Sequence, residues 1–186
     1  EMGYVIKLLA IGQRAGEDAV QVRVHPALVP AGHPLASTGG AYNSILVRGN
    51  AVGDVMFYGR GAGMLATGSA VVGDIMEVCR NMRHGGTGRI ACTCFENKAI
   101  LPVDTVETRY YVRMYVSDRP GTLAAIAGVF GKHEVSIASV RANAQKVAEA
   151  VWVTHQVREA NMRNALNELA GIPEVHSVEN WLRVEE

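Results

Sequence analysis

The second half of the chain has the clearer alternation of hydrophobic and polar positions. In "RYYVRMYV", Tyr110, Val112, Met114 and Val116 recur at every second position, which predicts a strand buried on one face. Leu123, Ile126, Ala127 and Phe130 then follow at i, i+3, i+4 and i+7, the stripe of an amphipathic helix. "VSIASV" and "EAVWVTHQV" read as two further strands. A second helix carries Met162, Ala165, Leu166 and Leu169, and Gly171-Ile172-Pro173 stops it. "VHSVENWLRV" closes as a strand. The order βαββαβ predicts a four-stranded antiparallel sheet with both helices on one face, a two-layer α+β sandwich.

The first half predicts strand-like runs in "YVIKLLAIG", "VQVRVHP", "YNSILVRG" and "VGDVMFYG", with "HPLA" in the turn-rich stretch between them. A helix follows from about Leu65 to Met82, with Val71, Ile75, Val78, Cys79 and Met82 on one face. Four strands and one helix leave a sheet face uncovered, so another part of the chain or another chain is expected there. "RHGGTGR", Arg83 to Arg89, reads as a linker, and the bridge to about Thr108 holds one strand-like run, "RIACTCF".

Composition narrows the function classes. The 186 residues are 48% hydrophobic and 19% charged, with Lys+Arg and Asp+Glu both 18 and a net charge of zero. No basic block marks a nucleic-acid footprint, and no apolar run is long enough to span a bilayer. Three cysteines argue for a reducing compartment, and cytoplasmic localisation is the expectation. "EMGYVIKLLAIG" enters an apolar strand at once, so Glu1 reads as an internal position of a longer chain.

No self-sufficient active site emerges from the candidate chemistry. Cys92 and Cys94 point the same way on one strand as half-buried small residues, and Cys79 lies on the apolar helix face, so all three read as structural. The six histidines show no zinc spacing, although His33 is placed to cap a turn. No metal site and no catalytic group is expected. "YGRGAGMLATG" joins a strand to a helix through Gly59, Gly61 and Gly63. It is neither the dinucleotide fingerprint, whose third glycine would fall at Met64, nor a phosphate-binding Gly-Lys-Ser/Thr loop. Two readings stay open: a tight connector, or backbone amides open to an anion. "SDRPGT" poses the same choice. Pro120 near the first helical position and Gly121 beside it leave amides exposed, Asp118 is placed to cap them, and Arg119 to reach an anion.

Two resemblances favour ligands in both places. Residues 108–183, through "YYVRMYVSDRPGTLAAIAGVFGKHEVSIASV", resemble an ACT domain, a small amino-acid-sensing module. "GYVIKLLAIG", "VRVHPALVPAGHPLA", "GGAYNSILVRG" and "VMFYGRGAG…SAVVGDI" resemble the end of the homoserine dehydrogenase catalytic part. The combination implies an incomplete catalytic-domain sheet with one long helix (residues 1–84), a linker (85–107) and a βαββαβ ACT regulatory domain (108–186). The family reduces aspartate semialdehyde to homoserine with NADPH or NADH, on the route to threonine and methionine. Its catalytic lysine and aspartate, its substrate-binding glutamate and its Rossmann domain lie upstream of "GYVIKLLAIG", so the chain alone is expected to be inactive.

The resemblance further implies that Gly63, with Gly61, touches the nicotinamide cofactor, and that the helix after them packs on the nucleotide domain. It implies L-threonine as effector, held by Asp118, Arg119, Pro120, Gly121 and Thr122 with Ser136, Ile137 and Ser139 on a facing strand. It also implies a homo-oligomer formed through the ACT domain and the catalytic sheet. Three features depart from the family: Ala66-Thr67-Gly68-Ser69 stands where Pro-Thr-Ala-Ser is usual, Arg60 where proline is usual, and "RANAQKV" follows the S-I-x-S-V strand. A free-standing amino-acid sensor and an ACT module used only for oligomerisation are the competing readings.

Overall fold

The computed structural model describes residues 2–86, 96–143 and 147–185. The chain forms two compact units, one of residues 1–30 with 98–186 and one of residues 31–97. The units therefore cut across the division of the sequence at residues 84 and 108.

In the first unit β1 (Tyr4–Arg14) and β2 (Ala19–Pro30) make a long antiparallel hairpin. In the second, β3 (Tyr42–Gly49) and β4 (Gly53–Arg60) make another, and α1 (Met64–Arg83) follows. "HPLA" falls on a single 3-10 turn, Pro34–Ser37, and His33 does cap it: its Nδ1 accepts from the Leu35 N–H at 3.2 Å. Arg83 to Gly86 of the expected linker are described, whereas the "RIACTCF" run, with Cys92 and Cys94, lies outside the described residues.

The remaining elements belong to the first unit. They are β5 (Ala99–Ile100), a 3-10 turn (Val103–Thr105), β6 (Glu107–Ser117), α2 (Thr122–Lys132) and β7 (Ile137–Asn143). After them come β8 (Val147–Thr154), β9 (Val157–Arg158), α3 (Glu159–Leu169) and β10 (Val175–Val184). The sheet order is β1-β2-β10-β6-β8-β7, with β5 on β2 and β9 on β6. Its last four strands are the expected antiparallel set. The unforeseen join is β2 to β10, a short parallel pairing of Ala27 with Arg183 and Leu28 with Val184. Among the described residues no sheet closes into a barrel and no helix is long and apolar enough to cross a membrane.

The core lies between the β6–β8–β10 strands and the two helices. Tyr110, Val112, Met114 and Val116 are all at most 2% exposed, as the alternation requires, and Met162, Ala165, Leu166 and Leu169 are buried on α3. Helix α2 departs from its expected stripe. It buries Thr122, Ile126, Val129 and Phe130, while Leu123 is 47% exposed. The helix begins one residue later than its Pro-Gly entry suggests, and the short side chains of its Ala/Gly-rich sequence mark its inner face only weakly.

The first region is apolar on surfaces that nothing in its own unit covers. Ile6, Leu8, Val22 and Val24 share the outer face of β1–β2 at 56–74% exposure. Helix α1 contains no buried residue, and Val71, Ile75, Val78 and Met82 are 52–76% exposed.

Candidate functional site

The turn between β6 and α2 is built as an open helix start. Gly121 is the N-cap, at φ 93° and ψ −17°, a left-handed conformation that a side chain would strain. Its carbonyl accepts from Ala125 N–H at 2.9 Å, and Thr122 N–H donates to Arg119 O at 3.3 Å. No side chain caps the helix. The expected cap by Asp118 is therefore not formed, and Pro120 precedes the N-cap instead of opening the helix. Asp118, Arg119, Pro120 and Gly121 are exposed, while Thr122 is 4% exposed and anchors the first turn.

Ser136, Ile137 and Ser139 lie elsewhere in the same unit. Strand register aligns Ser139 with Val153 and, through it, with Tyr111, whereas the turn follows Ser117 at the other end of β6. Six strand residues at about 3.3 Å each separate the two levels by about 20 Å. Ser136 and Ser139 are exposed, Ile137 packs on the core, and a register shift interrupts β7 between Ile137 and Ser139. The two halves of the expected effector cluster thus do not meet within one chain. Strand β7, the second half's carrier, ends the sheet order and is an edge.

The glycine loop leaves β4 at Arg60. Gly61 N–H donates to Ala41 O at 3.0 Å, and Gly63, at φ 128°, caps α1 without any side-chain partner. Open space surrounds the position a Cβ would take at Gly63. Beside the loop, Tyr42 stacks on Tyr58 with centroids 5.0 Å apart, and the Arg60 guanidinium lies 5.2 Å from the Tyr42 ring. A groove of about 350 Å³ runs along Asn43, Ile45, Phe57 and Gly59 to Gly61. A bare, uncapped helix N-terminus with room at its first carbon suits an anionic or planar group brought against the backbone.

A third cluster escaped the sequence reading. The Glu159 carboxylate is fully buried yet accepts hydrogen bonds from Tyr110 Oη at 2.5 Å, from Arg163 Nε at 2.9 Å, and from Arg183 Nε and Nη2 at 2.8 and 2.6 Å. Burial pushes this carboxyl up. The bonds from Tyr110 and Arg183 more than offset it and hold the group below the ordinary carboxylate value. Tyr110 is held well above the ordinary phenol range by burial and then by Glu159. An acid in the first turn of α3 followed four residues later by Arg163 was the one local signal, and it reads equally well as a surface pair. Nearby on β2, His25 is 8% exposed and its Nε2 lies 3.5 Å from Glu185, which Arg23 also holds at 3.1 Å. Among the described residues no group of three metal-ligating side chains exists.

Residues 1–76 match the homoserine dehydrogenase family model, and residues 110–174 match that of the ACT domain. The chain is homologous to the homoserine dehydrogenases and carries an ACT domain. The homoserine dehydrogenase of Mycobacterium tuberculosis is 40% identical over 195 residues, covering 99% of this chain and 44% of the relative. That of Synechocystis is 40% identical over 193 residues, covering 98% and 45%. A crystal structure of a homoserine dehydrogenase from Thiobacillus denitrificans superposes with a TM-score of 0.89 at 34% identity, over all of this chain and 43% of the other. The chain thus spans about 44% of the length of the curated relatives it matches. The homoserine dehydrogenase match takes in β1–β4 and most of α1. In space, however, β1 and β2 extend the sheet of the ACT region.

Proposed function

We propose that this chain is the regulatory and partner-facing part of a homoserine dehydrogenase, the enzyme that interconverts aspartate semialdehyde and L-homoserine with NADP or NAD in amino-acid biosynthesis. The observation that carries the reading is the succession, along one chain, of a homoserine dehydrogenase match and an ACT match. Residues 1–84 would serve the catalytic part, 85–107 the link and 108–186 the sensor, in a cytoplasmic enzyme.

The dinucleotide, when bound, supplies or accepts the hydride. This chain's share is to present the backbone of Gly61 and Gly63 and the uncapped amides of α1. Catalysis is assigned to the portion of the enzyme that the relatives carry and this chain does not, since the chain spans about 44% of their length. The apolar outer face of α1 would pack on that portion, and the outer face of β1–β2 on a second copy. Purified chain that reduced aspartate semialdehyde with NADPH would overturn this division of labour.

Sensing is assigned to the Asp118–Thr122 turn, where an α-carboxylate would meet the uncapped start of α2 and Arg119, with L-threonine as the effector. The edge position of β7 gives Ser136, Ile137 and Ser139 a role. Antiparallel pairing of β7 with a second copy would carry the partner's strand start towards the turn, so the site would be completed by dimerisation. Calorimetric titration with L-threonine tests this. Heat and a thermal shift are expected, and their absence at millimolar threonine would leave the ACT module as an oligomerisation device, the second reading that the open β7 edge favours.

A further inference from the structure

We propose that Asn43 is a positioning residue for the glycine loop. The register of the second hairpin sets Asn43 opposite Gly59, and its side chain reaches on along β4 to the next glycine. A Cβ built at Gly61 would lie 1.8 Å from Asn43 Nδ2 and 2.4 Å from Asn43 Cγ. The carboxamide therefore occupies the space any side chain at Gly61 would need. A side chain at Gly61 would have to push this exposed carboxamide aside.

Gly61 is held by its N–H on Ala41 O at 3.0 Å, and the Asn43 carboxamide lies over its Cα on the side where a Cβ would project. Two residues later the backbone turns through Gly63 and enters α1, where Thr67 N–H closes the first turn on Gly63 O at 3.0 Å. The course of the chain from Gly61 to Gly63 decides where the open amides of α1 point. Asn43 sets that course from the neighbouring strand while standing outside the helix itself. Its side chain makes no hydrogen bond among the described residues, so its seat on Gly61 is the contact that defines it.

The functional consequence rests on the dinucleotide reading of Gly63, whereas the lock itself does not, and two measurements separate them. In this chain, Asn43→Ala should speed amide exchange at Gly61 by about tenfold, because the packing of the carboxamide over Gly61 is lost. Unchanged exchange at Gly61 overturns the proposal whatever the loop binds. In a chimera that adds the part of the Thiobacillus denitrificans enzyme this chain does not match, Asn43→Ala should raise KM for the dinucleotide by about tenfold and leave kcat unchanged. Gly61→Ala displaces the same carboxamide, so it and the double variant should show that same loss. Additive losses, or a fall in kcat at constant KM, overturn the positioning role. A parent chimera that is folded yet binds no dinucleotide refutes the reading of Gly63, and amide exchange then decides the lock alone.

Discussion

Arg183 grips the fully buried carboxylate of Glu159 through two hydrogen bonds, Nη2 to Oε1 at 2.6 Å and Nε to Oε2 at 2.8 Å. The pair ties the first residue of α3 to the end of β10, where Arg183 stands in register with Ala27 of β2. It therefore sits where the ACT sheet receives the β1–β2 hairpin. Breaking it from one side strands a buried charge. Glu159→Gln should cost about 3 kcal/mol of unfolding free energy, within the range for a buried pair that loses one partner. The double variant Glu159→Gln/Arg183→Gln should cost less than the two single losses together. Urea unfolding of the four proteins checks this, and additive losses would remove the pair as a coupled unit.

Two buried groups give stability a pH dependence of the same sign. Burial lowers His25 below the ordinary histidine value of 6.5, the Pro26 carbonyl partly restores it, and Arg183 and Arg23 outweigh Glu185. The unfolded chain then takes up the His25 proton first, so this contribution is complete above pH 6.5 and is lost as pH falls through the folded value. Glu159, lowered from 4.5, adds stability that is complete above pH 4.5 and disappears as pH falls through its own folded value. A two-step decline on acidification is expected. His25→Gln should erase the upper step and leave the lower. An unaltered profile between pH 6.5 and 4.5 in that variant would assign the upper step elsewhere.

The sequence makes the β6 and α3 faces plain because each is buried along one side only, so period two and period 3.6 survive in the residue types. Helix α2 was less readable, since Ala124, Ala125, Ala127 and Gly128 blur its stripe and the left-handed Gly121 sets where it starts. The junction of β2 with β10 had no local signal, because parallel pairing between residues 27 and 183 depends on chain ends far apart in sequence. Glu159 was hidden for the opposite reason: hydrophobic periodicity cannot flag a carboxylate in the core. The Asp118–Thr122 stretch was legible as a turn, but its separation from Ser136–Ser139 followed only from strand register.

Gly121 offers a direct test of the proposed effector site. Any side chain there meets the left-handed backbone, so Gly121→Ala should cost about 1 kcal/mol of stability through strain alone. Gly121→Asp adds a negative charge at the place assigned to the ligand carboxylate. Relative to Gly121→Ala it should weaken L-threonine binding by a further factor of about ten, roughly 1.4 kcal/mol. Calorimetric titration of both variants makes the comparison. Equal threonine affinity in parent and Gly121→Asp protein would remove the turn from the site.

Helix α1 presents a different kind of evidence, because its sequence asks for more cover than its unit gives. At 100° per residue, Met82, Ile75, Cys79, Val72, Leu65, Val78 and Val71 fill an arc of about 140°, broader than the stripe of an ordinary surface helix. Yet Ile75 and Val78 are each 56% exposed and no α1 residue is buried. In this chain alone, Ile75→Asp should therefore change unfolding free energy by less than about 0.5 kcal/mol. Met114→Ala in the ACT core should cost about 2–5 kcal/mol. The same Ile75→Asp change should reduce self-association of the isolated chain in sedimentation velocity, since it places a charge in the middle of the exposed apolar arc. In the chimera that restores the unmatched part of the enzyme, it should instead destabilise the fold by several kcal/mol, because the charge would then be buried without a partner. A chimera as tolerant of Ile75→Asp as the isolated chain would show that α1 stays solvent-facing, and would remove the docking role assigned to it.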